Sequence, residues 1–105
     1  MLIQIQKKLH AFASPAKQKT LASFFKCGPG QYGEGDQFIG VTVPQVRSLL
    51  LQASDLSFTD MVVLIQSPVH EERLLALLIL VKRFSEAEVA EQEKIFDFYI
   101  LELAL

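Results

Sequence analysis

The sequence predicts an all-α protein of about six helices with one glycine-rich loop. Apolar residues recur at three- and four-residue spacing through most of the chain, which is typical of helices with one buried face. Serine or threonine precedes most of these segments, as expected of helix N-caps. All five glycines lie between residues 28 and 40, so the segments on either side carry no glycine to weaken a helix.

The opening 25 residues predict a helical hairpin. The apolar stripe of its first helix consists of Leu2, Ile5, Leu9 and Phe12. Ser14 and Pro15 then supply an N-cap and a first-turn proline. The second helix is predicted from Ala16 to Phe25, and its inward-facing residues are Leu21, Phe24 and Phe25.

Signals for helix starts predict the third and fourth helices. Thr42 is placed as an N-cap, Pro44 follows it in the first turn, and Gln45 stands in capping-box register. The buried stripe of this helix is predicted to be Val46, Leu49, Leu50 and Ala53. Ser57 and Asp60 start a short fourth helix, whose apolar residues are Phe58, Met61, Leu64 and Ile65.

The fifth helix is predicted to be central, because its middle is continuously apolar from Leu74 to Val81. It starts after Ser67-Pro68, and Arg73 in its first turns is interpreted as an ion-pairing or turn-capping residue. Ser85 and Glu88 predict a capping box for a sixth helix. The inward face of that helix is predicted to be Val89, Phe96, Tyr99 and Leu103.

These helix starts imply successive antiparallel pairs, the layout of a HEAT-like α-solenoid. The chain ends on Leu-Ala-Leu without a polar exit. Because terminal helices normally present a polar face, we expect further protein or a partner to cover the last helix. Residues 1–105 are therefore interpreted as the N-terminal part of a single helical-repeat domain, truncated at its C-terminus.

The amino-acid composition limits the classes of protein to which the chain can belong. The chain has 105 residues, half of them apolar, which is enough for one core. A single cysteine excludes an internal disulfide and fits the cytoplasm. The longest apolar run is far shorter than the ~20 residues of a membrane-spanning helix. Residues 1–47 carry a net charge of +4 and residues 48–105 one of −6. On charge alone, the first half either faces a polyanion or presents ordinary solvated helix faces.

The loop contains a Gly28-Pro29-Gly30-Gln31-Tyr32-Gly33 match to the nucleotide-binding pattern G-x-G-x-x-G. That motif needs a preceding strand and a helix that opens directly from it. Here a helix precedes the loop, and Pro29 lacks an N–H for a phosphate. We therefore reject a phosphate cradle.

Two blocks of sequence resemble the DNA alkylation repair proteins, the HEAT-like alkylpurine DNA glycosylases. The first runs from Lys26 to Pro44 and includes Arg47; its loop positions are Tyr32, Gly33, Glu34, Gly35, Asp36, Gly40 and Pro44. The second runs from His70 to Leu80, and Phe96-Asp97-Phe98-Tyr99 follows at the family's spacing. The resemblance extends to about Tyr99 but covers only the N-terminal half of a typical member.

The resemblance implies a concave, basic surface that binds duplex DNA by its backbone. It also implies hydrolysis of the N-glycosidic bond of purines alkylated at N3 or N7, without a metal or organic cofactor. Family members carry a catalytic aspartate and tryptophans after the Phe-Asp-Phe-Tyr helix. This chain has no tryptophan and reads Ile100 to Leu105 there. No catalytic residue is therefore assigned, and whether the chain alone is an enzyme stays open.

The candidate DNA contacts are Thr42, Arg47 and Lys26. For Arg47 the alternative is an intramolecular partner such as Glu34 or Asp36. These two carboxylates and Tyr32 are interpreted as holding the loop rather than as acid–base groups, since no nucleophile accompanies them. One cysteine and two distant histidines do not predict a zinc site. The alternative function is a non-catalytic helical-repeat scaffold that binds another protein through its last helix.

Overall fold

The computed structural model describes residues 1–24 and 37–104, which form helices and no strand. The helices are α1 (Leu2–Ala11), α2 (Pro15–Phe24), α3 (Val43–Arg47), α4 (Phe58–Ile65), α5 (His70–Glu86) and α6 (Val89–Ala104). Within these ranges an isolated bridge joins Gln37 and Val69. No helix in them combines the length and apolarity needed to span a bilayer. The predicted all-α, HEAT-like solenoid class is confirmed.

Helix α5 is the central element. It packs against α1, α3, α4 and α6, as its continuously apolar middle predicts. Its buried residues in that middle are Leu75, Ala76, Ile79 and Leu80. Leu77 and Val81 are nevertheless 39% and 56% exposed, so one side of α5 is uncovered.

The core joins one face of each helix around α5, with one exception. The predicted stripes of α1 and α4 supply Ile5, Leu9, Met61 and Leu64, all buried. No α2 side chain that the structure describes joins this core. Helix α2 must therefore be held mainly by other contacts.

Three of the predicted helix starts are confirmed. In the capping box of Thr42 and Gln45, the Gln45 N–H donates to the Thr42 hydroxyl at 3.3 Å, and the Thr42 N–H donates to Gln45 Oε1 at 2.9 Å. Ser57 and Asp60 form the same arrangement at the start of α4. Before α2, the Ser14 hydroxyl accepts from the N–H of Lys17 at 3.4 Å.

The third helix is shorter than predicted and ends at Arg47. Residues 48–55 continue as a series of turns. The N–H groups of Leu49 and Leu50 each donate to a carbonyl three residues earlier, at 3.1 Å, which is the tighter winding of a 3₁₀ turn. Leu49 and Ala53 are still buried, so the apolar spacing predicted the packing correctly but not the regular helix.

The junctions on either side of α5 differ from the prediction. Ser67 does not cap α5; its hydroxyl accepts from the N–H of Val69 in a turn before the helix. The predicted turn-capping role of Arg73 is confirmed by a 2.8 Å bond from its Nη1 to the Ser67 carbonyl. The prediction of a capping box formed by Ser85 and Glu88 is wrong, because Ser85 lies inside α5 and its hydroxyl donates to the Lys82 carbonyl.

The predicted inward face of α6 is also wrong in part. Ile95 is buried and Tyr99 is half-buried, whereas Val89 and Phe96 are 71% and 57% exposed. Phe98 turns inward as well and stacks on Phe58, with ring centroids 4.6 Å apart. Apolar residues lie on several sides of α6, so periodicity alone could not select the side that packs on α5.

Candidate nucleic-acid interface

A short non-helical segment, residues 37–42, ties the start of α2 to the start of α5; we call it the strap. The N–H of Ser14, just before α2, donates to the Ile39 carbonyl at 3.1 Å. The N–H of His70, the first residue of α5, donates to the Gln37 carbonyl at 2.7 Å. The strap therefore fastens α2, which adds nothing to the described core, to the central helix.

The strap is held from beneath by the carboxylate of Glu71, a residue only 1% exposed. Its Oε2 accepts from the N–H of Gly40 at 2.9 Å and from that of Val41 at 3.1 Å. The N–H of Ile39 lies 3.1 Å from Oε1 and 3.2 Å from Oε2. Burying a carboxylate is costly unless donors satisfy it, and three consecutive backbone N–H groups do so here.

Gly40 is required where the strap crosses α2. Its φ is +87°, a backbone conformation that side chains disfavour. A Cβ at this position would lie 2.0 Å from the Ser14 carbonyl oxygen and 2.7 Å from the Gln18 nitrogen. Both atoms belong to backbone and cannot move aside, so this glycine permits the close contact between strap and helix.

The strap leads directly into α3, where two of the sequence-predicted DNA contacts lie. The hydroxyl and the N–H of Thr42 are both engaged in the capping box with Gln45, although the hydroxyl keeps its own proton as a donor. Arg47, at the end of α3, is exposed. The structure therefore brings Thr42 and Arg47 onto one short helix.

The remaining predicted positions lie outside the described residues. They are Lys26, Tyr32, Gly33, Glu34, Gly35 and Asp36. Arg47 forms no ion pair with any residue in the two described ranges. The alternative that Glu34 or Asp36 pairs with Arg47 therefore remains a prediction.

An open groove of about 630 Å³ lies between α2 and the strap with α3. Lys17, Thr20 and Leu21 line it from α2. The opposite wall and floor are formed by Phe38, Val41, Thr42, Val43, Pro44, His70 and Leu74. The Phe38 and His70 rings stack with centroids 4.3 Å apart and join the strap to α5 across its floor.

Exposed cations lie on the two helices that border this groove. Lys17 and Lys19 are exposed on α2, and Arg47 is exposed on α3. By contrast Arg83, in the second half of the chain, donates to the backbone carbonyls of Ser54 and Leu56 and thereby serves the fold. The two helices that border the groove thus present positive charge to solvent, as phosphate binding requires.

The titratable side chains among the groove's described lining residues are those of Lys17, His70 and Glu71. Glu71 is the one carboxylate among its described lining residues, and its oxygens are engaged by the strap. Across the described ranges, no cluster of histidine, cysteine, aspartate and glutamate side chains could hold a metal ion.

Sequence reasoning missed Glu71 and Lys17. The burial of Glu71 depends on a strap that is distant in sequence. The available signal is a carboxylate about one turn before a continuously apolar run, where a solvated side chain is hard to place. Lys17 carries no local signal, since any exposed helix face contains lysine.

The adjacent carboxylate, Glu72, is also buried, at 6% exposure, but it serves α1. Its Oε1 accepts from Gln6 Nε2 at 2.8 Å, and its Oε2 lies 3.2 Å from His10 Nε2. Glu72 therefore attaches α1 to α5 on the other side of the central helix.

Fold and site together define a helical-repeat protein with a cation-flanked groove. A sequence-family profile described as DNA alkylation repair enzyme matches residues 5–103. The chain belongs to this family, in agreement with the resemblance of its two sequence blocks. No curated protein and no solved structure matches the chain.

Proposed function

We propose that the chain is the N-terminal part of a DNA glycosylase that removes N3- or N7-alkylated purines. The observation that carries the proposal is the family match over residues 5–103. In this reaction water adds to C1′ of the deoxyribose, and the N-glycosidic bond breaks. The base leaves with the bonding electrons, and a proton from the water is released. Because the alkylated purine is already cationic, it departs as a neutral base.

In this proposal the chain contributes scaffold and contacts to the DNA backbone, and no catalytic residue. Thr42, the N-cap of α3 in one wall of the groove, and Arg47, at the end of α3, bind phosphate, and Lys26 adds a further contact. Lys17 binds from the α2 wall, where it is exposed. Such contacts provide affinity without reading sequence.

Charge distribution supports DNA on the groove side. Helix α6 carries Glu91, Glu93, Asp97 and Glu102 against a single lysine, Lys94. A phosphate backbone would be repelled there and attracted to α2 and α3. The cytoplasmic location and the absence of a metal or organic cofactor remain part of the proposal.

Duplex binding and base excision test the proposal separately. The chain is titrated into a short fluorescent duplex at several salt concentrations, and we expect the logarithm of the affinity to fall linearly with the logarithm of salt. Release of methylated purine is then measured for the chain alone and for a version extended by a segment with tryptophan and aspartate. Excision is expected only from the extended version. Absence of duplex binding at low salt would contradict the proposal.

A second function is favoured by one observation, the exposed apolar surface of α5 and α6. Phe84, Phe96, Ile100 and Leu101 are 41%, 57%, 47% and 60% exposed. A groove of about 390 Å³ runs between the two helices there. We propose that a further helical segment of the same protein, or a partner protein, covers this surface.

If partner binding is the main function, the chain is a non-catalytic helical-repeat scaffold. Affinity capture would then recover a stoichiometric protein partner, and substitutions on α6 would release it. Duplex binding would be no stronger than that of a protein with similar charge. A steep salt dependence that is lost with Arg47 would instead favour DNA repair.

A further inference from the structure

We propose that Glu71 is a positioning residue that sets the separation between α2 and α3, the two sides of the groove. The inference rests on the proposed DNA-binding function and assigns to it a residue that need not touch DNA. Its basis is that the described hydrogen bonds linking the two sides pass through the strap, and Glu71 holds three successive N–H groups of that strap.

The first path runs from Glu71 to α3. The carboxylate accepts from Val41, and the next residue, Thr42, is the N-cap whose capping box fixes the first turn of α3. Arg47 ends that same helix. The bond to Val41 lies one residue before the N-cap of the helix that carries this cation, so Glu71 acts with the core packing of Val46 to position that helix.

The second path runs from Glu71 to α2. The carboxylate accepts from Ile39 and Gly40. The Ile39 carbonyl in turn accepts from Ser14 at 3.1 Å, and Gly40 lies directly against the first turn of α2. Helix α2 carries Lys17 and adds no described side chain to the core, so this attachment decides where its cations lie.

The isosteric substitution Glu71→Gln changes the charge and the hydrogen bonding of this side chain while keeping its volume. The amide keeps one acceptor oxygen and replaces the other with an NH₂ group that donates. With the amide oxygen in the position of Oε2, Gly40 and Val41 keep their acceptor, whereas the NH₂ group would oppose the Ile39 N–H and weaken its bond to the side chain. The core around Leu75 and Ile79 would be left unchanged in size.

The experiment compares Glu71→Gln with the matched control Glu72→Gln. The control also alters a buried carboxylate of α5, but one that serves α1 and not the strap. Duplex affinity is measured by fluorescence anisotropy under conditions where thermal melts show both variants folded, with sucrose added if needed to favour the compact state. Amide hydrogen exchange is followed at residues 39–41 in the same samples.

For Glu71→Gln we expect duplex binding to weaken by about fivefold to tenfold and exchange at residues 39–41 to quicken by at least about tenfold. For Glu72→Gln, we expect the duplex affinity and the exchange rate at residues 39–41 to stay close to those of wild type. Equal duplex affinity for folded Glu71→Gln and wild type overturns the positioning role alone. Failure of wild type to bind any duplex overturns the proposed function, and with it this role.

If Glu71→Gln does not fold, amide hydrogen exchange of the wild-type chain tests the positioning role of Glu71. The amides of Ile39, Gly40 and Val41 should be protected in wild type because the carboxylate holds them. Exchange at the rate of exposed amides would overturn the proposal. Protection that rises further when duplex is added would support it.

Discussion

Glu71 and Glu72 are consecutive residues of α5 whose buried carboxylates hold different parts of the chain. Successive residues of a helix point about 100° apart, so the two side chains leave α5 in different directions. Glu71 accepts from the Gly40 N–H in the strap, and Glu72 accepts from Gln6 on α1. Two neighbouring positions on the central helix thereby fasten the two helices that precede the strap.

Replacing Gly40 with alanine should destabilise the protein severely. The new Cβ would lie 2.0 Å from the Ser14 carbonyl oxygen, and φ is +87°. We expect a loss of at least about 2 kcal/mol in the free energy of unfolding, because both strain and a backbone clash arise. Urea denaturation of the variant and of wild type measures this difference in the free energy of unfolding. Ser23→Ala, on the exposed surface of α2, is the control and should change stability little; a Gly40→Ala protein as stable as wild type would show that the strap crosses α2 elsewhere.

Arg83 should contribute much more to stability than its neighbour Lys82. Its guanidinium donates to the Ser54 and Leu56 carbonyls and so fastens the turns after α3 to α5. Arg83→Ala is expected to cost about 1–2 kcal/mol, since two backbone acceptors lose a charged donor.

Lys82 forms only a partly exposed pair with Glu86 one turn along the helix. Lys82→Ala should therefore cost at most about 0.5 kcal/mol. Denaturation midpoints of the two variants, measured side by side, check the comparison. Equal losses would mean that the turns after α3 do not depend on Arg83.

Arg47→Ala should weaken duplex binding and reduce its salt dependence. If Arg47 neutralises one phosphate, the slope of log affinity against log salt should become shallower by about 0.9. Lys94→Ala removes an exposed cation from the acidic helix α6 and is the matched control. Its slope should equal that of wild type. An unchanged slope for Arg47→Ala would remove this residue from the proposed DNA contacts.

Local signals in the sequence were sufficient where a helix start depends on neighbouring residues. The Thr42 and Ser57 capping boxes are such cases, because donor and acceptor lie within four residues. The same rule failed at Ser85, since α5 continues past it. There Gln92 Nε2 donates to the Phe84 carbonyl at 2.9 Å and supplies a partner for the end of α5 that no local pattern indicates.

The organisation of the groove could not be predicted, because it depends on contacts between distant segments. The sequence singles out the glycine-rich loop, yet the reason for Gly40 lies in α2, and the partner of its N–H lies at Glu71. Periodicity reports which residues are apolar, whereas only tertiary packing decides which carboxylate becomes buried. Arg73 was easier to interpret, since its partner at Ser67 is six residues away.

Removing the exposed aromatic rings of α5 and α6 should leave the fold intact and abolish contacts with any covering protein. Phe84 and Phe96 are 41% and 57% exposed, so the double change Phe84→Ser and Phe96→Ser removes two side chains that each keep about half of their surface in solvent. We expect the protein to stay folded with a modest decrease in the midpoint of thermal unfolding, while self-association at high concentration, followed by light scattering, decreases. The comparison is Phe98→Ser, which removes a half-buried ring stacked on Phe58 and should lower stability by about 2 kcal/mol or more. A large loss of stability in the double variant would mean that these two rings belong to the core of the chain and not to an interface.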